Sequence, residues 1–554
     1  VEDDHDQPSA QPGAHDSDDA AGERRRIRAS TIIFSAATML SRVAGLIREI
    51  ATAAVFGATT TYSAFVVANQ IPNLIRSLVA DAALGASFVP VYTELEERGE
   101  RERAWRVAGT VCSVILLVLG PLTVLAMIAA PWIVSPFLGA TFSTEQVELT
   151  VSLARLLMPI VLVLALSGVT VGILNVHGRF GAAALAPVAW NAVILLSLAG
   201  AAWFAEEQQR IWIYAAGTLA GTVVQVVMPL PWLRGLGGRL RLRAAWRDPK
   251  VREVFVKMLP ITLGIGLINL QLLISALLAA YVDANVGPGF SGLEPGAGPS
   301  ILDKAFRIYM LPQGVFSVAV ATVAFPALSR HVTRGDLSAF AAAVALGVRQ
   351  ILMLLVPSSV FIAVFAQPIT RVLYERGAFD ADQTTATAIT LVALSLGLVF
   401  NGLSLLLIRS FFAMRQTWVP TIVSAVTLAC NVGIALAAYR TWGVAGIAAA
   451  TSVANLLGVV LLYVLLERRT ESLGTRRTVL VALGMLLASL VAVGLVAAAW
   501  RFAWEPWAGT GFVASLAGLA AALVVAAAIY LWLGARLRVV RPGMLRDLRR
   551  RPRA

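Results

Sequence analysis

The 554 residues are 58% hydrophobic and only 14% charged, with a mean hydropathy of +0.77. Soluble globular chains carry about 25% charged residues, so a soluble enzyme, a secreted disulfide scaffold and a disordered chain are all excluded. At about 20 residues per crossing, 58% of 554 residues supplies a dozen or more transmembrane helices. The net charge of +13 conceals two opposed parts: residues 1–23 hold eight acids and no Lys or Arg, leaving 45 basic against 24 acidic residues in the remainder.

Residues 1–28 read as a disordered acidic cytoplasmic tail with a basic juxtamembrane end, and lack the basic start and apolar run of a signal peptide. Six apolar runs follow, at 29–56, 62–91, 105–134, 146–175, 182–204 and 210–233, forming a first lobe over 29–233. The stretch 234–254 (RGLGGRLRLRAAWRDPKVREV) is basic and is expected to lie as an amphipathic helix on an anionic cytoplasmic leaflet. Six more runs, at 255–283, 300–328, 338–366, 383–413, 417–440 and 443–466, make a second lobe over 255–467. Runs at 478–503 and 508–535 add a helix pair within 468–535, and residues 536–554 form a basic tail. The expected fold is an all-α polytopic membrane protein of fourteen transmembrane helices, two parallel six-helix lobes plus the C-terminal pair.

With both termini in the cytoplasm, cytoplasmic segments hold 31 Lys or Arg and the opposite side six, Lys304 among the latter. That is a positive-inside distribution, which accounts for the basic excess better than nucleic acid binding does. Cys112 and Cys430 each lie within an apolar run and suggest no disulfide framework.

The chain repeats itself. Pro90, Arg98-Gly99, Pro131, Phe142 and Gln146 recur as Pro326, Arg334-Gly335, Pro368, Phe379 and Gln383, at offsets of 236 or 237 throughout. The shift spans six helices, an even number, so the two units share one orientation, as in alternating-access transporters with a site between lobes.

Ionisable residues deep in apolar runs carry the candidate chemistry, since a central Arg costs about 2.5–3.5 kcal/mol on insertion. Arg42 and Arg76 are central in the first two runs, and Arg307 lies nearer the outer end of the eighth, where Pro312 is expected to bend the helix. Two readings stand side by side. Glu49, two turns from Arg42, and Asp81, five residues past Arg76, offer ion pairs within a lobe. Alternatively, guanidinium groups line a cavity for an anion, which their fork geometry suits. Arg155, Arg349 and Arg409 are expected to reach a membrane boundary or an interhelical carbonyl. Pro72, Pro121, Pro159, Pro260, Gly264, Gly266, Pro312 and Pro357 interrupt the runs as bends or hinges. The sequence contains no GxxxxGK[ST] loop and its four His are scattered, so neither ATP nor a metal cofactor is expected.

Four blocks carry a resemblance: SRVAGLIREIATAAVFGA (41–58), AFVVANQIPNLIRSLVADAALGASFVPVY (64–92), RIYMLPQGVFSVAVATVAFPALSR (307–330) and LYERGAF (373–379). Over about residues 29–535 the chain resembles the MurJ/MviN family, lipid II flippases of the multidrug/oligosaccharidyl-lipid/polysaccharide exporter superfamily. The resemblance implies two lobes around a cationic cavity, a lipid-tail groove on the last two helices, and headgroup binding by Arg42, Arg76 and Arg307. Arg48, Glu49, Asn69, Asp81, Gly264, Gly266 and Pro312 follow as supporting or gating residues. Three positions depart from the pattern: Ser63 and Met310 where acids are common, and Asp81-Ala82 where Glu-Gly is common.

The implied activity is export of the undecaprenyl-pyrophosphate headgroup from the cytoplasmic to the outer leaflet of a bacterial plasma membrane. It uses no enzyme chemistry or cofactor, and its drive comes from the membrane potential or an ion gradient. The implied partners are lipid II, anionic membrane lipids and the peptidoglycan synthesis machinery. An exporter of another polyprenyl-linked glycan or of a small molecule, and a non-transporting scaffold for cell-wall synthesis, share the fold. A glycosyltransferase would need outer acids, for which Asp283, Glu294 and Asp303 are the candidates.

Overall fold

A computed structural model describes residues 15–79, 82–138, 141–203, 206–470, 472–504 and 511–539. The described residues are helical almost throughout and contain no strand. In the N-terminal half the helices are α1 (His15–Phe56), α2 (Thr60–Val79), α3 (Ala82–Glu97), α4 (Arg101–Leu138), α5 (Thr144–Leu157) and α6 (Pro159–Val176). They continue with α7 (Phe180–Trp203), α8 (Glu207–Val227) and α9 (Pro249–Tyr281). The C-terminal half holds α10 (Gly298–Pro312), α11 (Val318–Thr333), α12 (Leu337–Val364), α13 (Ala366–Tyr374), α14 (Ala381–Ser395) and α15 (Leu398–Ala413). It ends with α16 (Trp418–Glu467), α17 (Thr475–Ala499) and α18 (Phe512–Arg536).

Among the described residues, the fourteen apolar runs lie mostly on helix. Nine described helical segments are long and apolar enough to cross a membrane, or ten when α14 and α15, bent by 44°, count as one span. The 50-residue α16 is two antiparallel helices: the backbone reverses at Gly443 (φ 54°, ψ −133°), and Asn431 Nδ2 donates to Thr451 Oγ1 at 3.1 Å across the turn. Only glycine tolerates that backbone cheaply, and a Cβ there would run into the Val286 carbonyl.

Two expectations are corrected. Residues 15–28, taken as part of a disordered tail, are the start of α1, while residues 1–14 lie outside the described residues. Extending a helix already nucleated by an apolar span is inexpensive. At 42 residues α1 is about 63 Å long, well beyond a bilayer's thickness. The second correction concerns 234–248, which is not a helix but a strap laid along α4.

Gly235 and Gly237 adopt positive φ (80° and 77°), which stops a helix from forming. The strap then lies so close to α4 that a Cβ on Gly109 would run into the Arg241 carbonyl oxygen. Arg243 N donates to Ser113 Oγ at 3.0 Å, and the Arg103 guanidinium donates to both Asp248 oxygens at 3.1 and 3.2 Å. These bonds from Arg103 hold the Asp248 carboxyl below its ordinary range, helped by the Lys250 backbone N–H. The anchor is therefore complete above about pH 4, the ordinary Asp range, and is lost only as pH falls through the lowered value.

The repeat is visible in the backbone. α3 and α11 are both 16 residues long and begin 236 apart, at Ala82 and Val318, and Gly99 and Gly335 turn the chain with φ of 76° and 72°. Ser143 and Asp380 cap α5 and α14, each side chain accepting from the backbone N–H three residues on. Equivalent segments also meet: Ser300 N donates to Ser63 Oγ at 3.2 Å, and Gly296 lies against Thr60. Residues related by a repeat touch one another only near the axis that relates them.

Gly109→Val is expected to lift the strap from α4, so that trypsin cleaves between Arg239 and Arg247 about fivefold faster or more, as for a locally opened segment. Cleavage at the parental rate would show that the strap is not seated there.

Candidate functional site

The N- and C-terminal halves enclose a cavity of about 510 Å³, lined by α1, α2, α6, α7, α8, α9 and α10. Its polar character comes from stripes at helical spacing. On α2 these are Asn69, Asn73 and Arg76; on α8, Tyr214, Thr218, Thr222 and Gln225; on α10, Asp303 and Arg307.

At one end of the cavity five charged side chains form a single cluster. Arg48 Nη2 lies 2.7 Å from Glu49 Oε1, Arg307 Nε lies 3.7 Å from the same oxygen, and Lys304 Nζ lies 3.5 Å from Glu49 Oε2. Arg307 Nη2 also pairs with Asp303 Oδ1 at 3.1 Å. Arg48 is fixed further by Asn191, whose Oδ1 accepts from Nη1 at 3.2 Å, and by the Trp190 ring 4.5 Å beneath its guanidinium. Arg307 is 42% exposed and faces the cavity, whereas Lys304 is fully buried. Phe56, Tyr62, Phe65 and Tyr214 pack beside the cluster, with ring centroids 4.5–6.4 Å apart.

Just past this cluster the two halves meet, at what is here termed the Gly57 end. Gly57 and Gly377 adopt positive φ (62° and 60°), which brings the backbones together so that Ala378 N donates to Ala54 O at 2.9 Å. The start of α2 takes its hydrogen bonds from the other half. Ala58 N donates to Gln383 Oε1 at 2.7 Å and Thr60 N to Glu294 Oε2 at 2.6 Å. A helix N-terminus with unmet N–H groups is a ready partner for a carboxylate. Glu294 is thus committed to this closure, Asp283 to the 283–293 loop through Asn285, and Asp303 to Arg307, which places all three proposed outer acids in structural roles.

Of the residues singled out from sequence, Arg48, Glu49, Asn69, Arg76 and Arg307 line the cavity together. Arg42 does not: its Nη2 donates to the Gly314 carbonyl at 3.0 Å, joining α1 to the other half. Gly314 belongs to a π-helical turn, Gln313–Ser317, that directly follows Pro312: where a bend was expected, the helix widens and runs on into α11. Gly264 and Gly266 lie inside α9, which continues through them, and Asp81 lies outside the described residues. Glu49 pairs across the halves with Arg307 and Lys304 rather than with Arg42 two turns away. Lys304, counted by its position as an outer-side residue, is instead buried in α10, where Glu49 and Thr52 of α1, Tyr62 of α2 and Tyr374 of α13 surround it. Its spacing of three from Arg307 puts both on one helix face. Arg155 does reach a carbonyl, that of Met127 at 3.1 Å, but Arg409 and Arg349 reach the hydroxyls of Thr322 and Thr478.

Comparison with known proteins follows this geometry. The family model described as Lipid II flippase MurJ matches residues 52–522. A probable lipid II flippase MurJ of Rhizobium tropici is 31% identical over 94% of this chain and 96% of its own length. One from Vibrio cholerae is 30% identical over 93% of this chain and 97% of its own. Among solved structures, a lipid II flippase MurJ in an inward closed conformation superposes with a TM-score of 0.73 at 23% identity, covering 94% of this chain and all of that one. An inward-facing multidrug resistance MATE transporter of the MOP superfamily gives 0.64 at 18% identity, over 80% of this chain and 99% of its own. At these identities the structural likenesses show a shared fold.

A Cβ on Gly377 would run into the Ala54 carbonyl. Gly377→Val is therefore expected to part the Gly57 end. A cysteine placed at Ala58, which is 1% exposed, should then react with a maleimide about tenfold faster, as buried sites do when local opening becomes easier. An unchanged rate would show that this backbone contact does not close the cavity.

Proposed function

The chain belongs to the lipid II flippase MurJ family, a family of multi-pass membrane transporters rather than enzymes, and on that premise we propose how its cavity moves lipid II between leaflets. The substrate pyrophosphate docks between Arg307 and Arg76, with Arg48 behind them. The carrying observation is the charge of the cavity: Arg48, Lys304 and Arg307 meet two carboxylates, Glu49 and Asp303, and Arg76 lines the same cavity. A low-dielectric chamber with unbalanced guanidinium groups favours a multivalent oxyanion.

In this reading the described contacts are those of a state closed at the Gly57 end, which faces outward. The basic end, with the strap and both termini, faces the cytoplasm and rests on anionic lipid. The two lobes, 29–233 and 255–467, rock about the axis between them, across fourteen crossings. Arg42 tethers α1 to the π-helical turn in the closed state and is exchanged during that motion. The undecaprenyl chain stays in the bilayer beside α17 and α18. With about two negative charges on the headgroup, an inside-negative potential favours export by about 4–5 kcal/mol per 100 mV. That is enough to bias the cycle without nucleotide hydrolysis.

The test is depletion of the native protein with complementation, scoring lipid II at the outer surface. Arg76→Ala and Arg307→Ala are each expected to reduce exposure about tenfold or more, the order of loss when one partner of a charged contact is removed, and Arg42→Ala to reduce it less. Normal export by all three variants at parental expression would overturn the cavity reading.

A further inference from the structure

Lys304 is counted in the charge of the cluster but touches no ligand in the scheme above, and it is among the largest side chains fully buried in the molecule. Its ammonium has three N–H groups to place. Nζ donates to Thr52 Oγ1 at 2.6 Å, to Glu49 O at 3.4 Å and to Tyr62 OH at 3.4 Å. The Thr52 hydroxyl spends its own hydrogen on Glu49 O at 2.8 Å, so towards Lys304 it accepts. Tyr62 and Tyr374 present ring faces 4.6 and 5.6 Å from the nitrogen, the surroundings of a cation. The site is built for a charged lysine, and a buried charge needs a counter-charge.

That counter-charge is Glu49. Its two oxygens divide: Oε1 faces Arg48 and Arg307 on the cavity side, and Oε2 faces Lys304 and has no hydrogen-bond partner among the described residues. We infer that Lys304 is a positioning residue for the anion site: it neutralises Glu49 from behind and so leaves the charge of Arg48 and Arg307 available to the substrate. Without Lys304 the cluster holds two cations and two carboxylates and neutralises itself. With it the cluster keeps one surplus positive charge, directed at the cavity by the half-exposed Arg307. Lys304 does this without touching the ligand, since Glu49 and the Tyr62 ring stand between it and the cavity.

This inference rests on the proposed function and is tested by the binding of fluorescent lipid II to the purified full chain in nanodiscs of zwitterionic lipid, across a range of salt. Lys304→Met removes the charge at similar length and is expected to weaken binding about tenfold or more and to flatten its salt dependence. Lys304→Arg should bind within about threefold of the parent, because the charge is kept. In E49Q/K304M the surplus returns to one positive charge, and affinity and salt slope should return toward the parental values. Glu49→Gln alone, with a surplus of two, should bind more tightly than the parent, an arm that stands even if Lys304→Met does not fold. Lys304→Met binding as tightly as the parent, or Glu49→Gln giving no gain, would overturn the assignment. Failure of the unsubstituted protein to bind lipid II would instead overturn the proposed function itself.

Discussion

Glu49 is 6% exposed, and three cations from two halves of the chain converge on its carboxylate within 3.7 Å. Inside a bilayer such a group is tolerable only if paired, because desolvating a lone carboxylate costs far more than any single contact returns. The pairing dictates much else. Arg48 and Glu49 are adjacent on α1, while Lys304 and Arg307 share a face of α10, so satisfying Glu49 requires the two helices to meet at this depth. The tyrosines beside the cluster then act as its low-dielectric wall. Through Arg307 the same network reaches the cavity, so a ligand anion competes directly with the interaction that joins the halves.

The closure beyond the cluster is made of a different material. Beside the buried apolar contacts of Ala53 and Ala58, its bonds are made by backbone groups and polar side chains: Ala54 with Ala378, Ala58 with Gln383, Thr60 with Glu294, Ser63 with Ser300. Each such bond is worth about 0.5–1.5 kcal/mol net, because water can replace it. Four together amount to a few kcal/mol, comparable with the electrical work available to a doubly charged headgroup at 100 mV. A closure of interdigitated leucines would be far harder to reopen against that drive.

Most of the helical layout was legible because it rests on local signals. The apolar runs, the repeat in Pro, Gly, Phe and Gln, and the central Arg76 all survive into the structure as helices, turns and a cavity wall. What escaped depends on partners distant in sequence. Nothing around Lys304 announces that Thr52 and Tyr62 await it on other helices, and a lysine near a helix start reads as a boundary residue. The 234–248 strap misled for a similar reason: its run of basic residues suits a helix lying on an anionic leaflet, but Gly109 and Ser113 on α4 supply a backbone groove that no local pattern reveals. The repeated glutamines diverge in the same way. Gln146 turns back to cap its own helix through Ser143 N, whereas Gln383 reaches across to Ala58 N.

That divergence bears on how many ligands the cavity takes. A backbone repeated at 236–237 residues supplies two similar units and an axis to rock about, and a fully repeated charge pattern would supply two anion sites. The charges are not repeated. Counting back 236 or 237 residues from Lys304 gives Ala68 or Val67, both buried and apolar, and from Arg307 it gives Ile71 or Gln70. Counting forward from Arg76 gives Pro312 or Gln313, the start of the π-helical turn. The cluster therefore draws α1 from one unit and α10 from the other, and is not duplicated. The proposed rocking would thus combine a symmetric motion with a single asymmetric anion site, an arrangement that suits one large headgroup with a single charged linkage better than a pair of small ions.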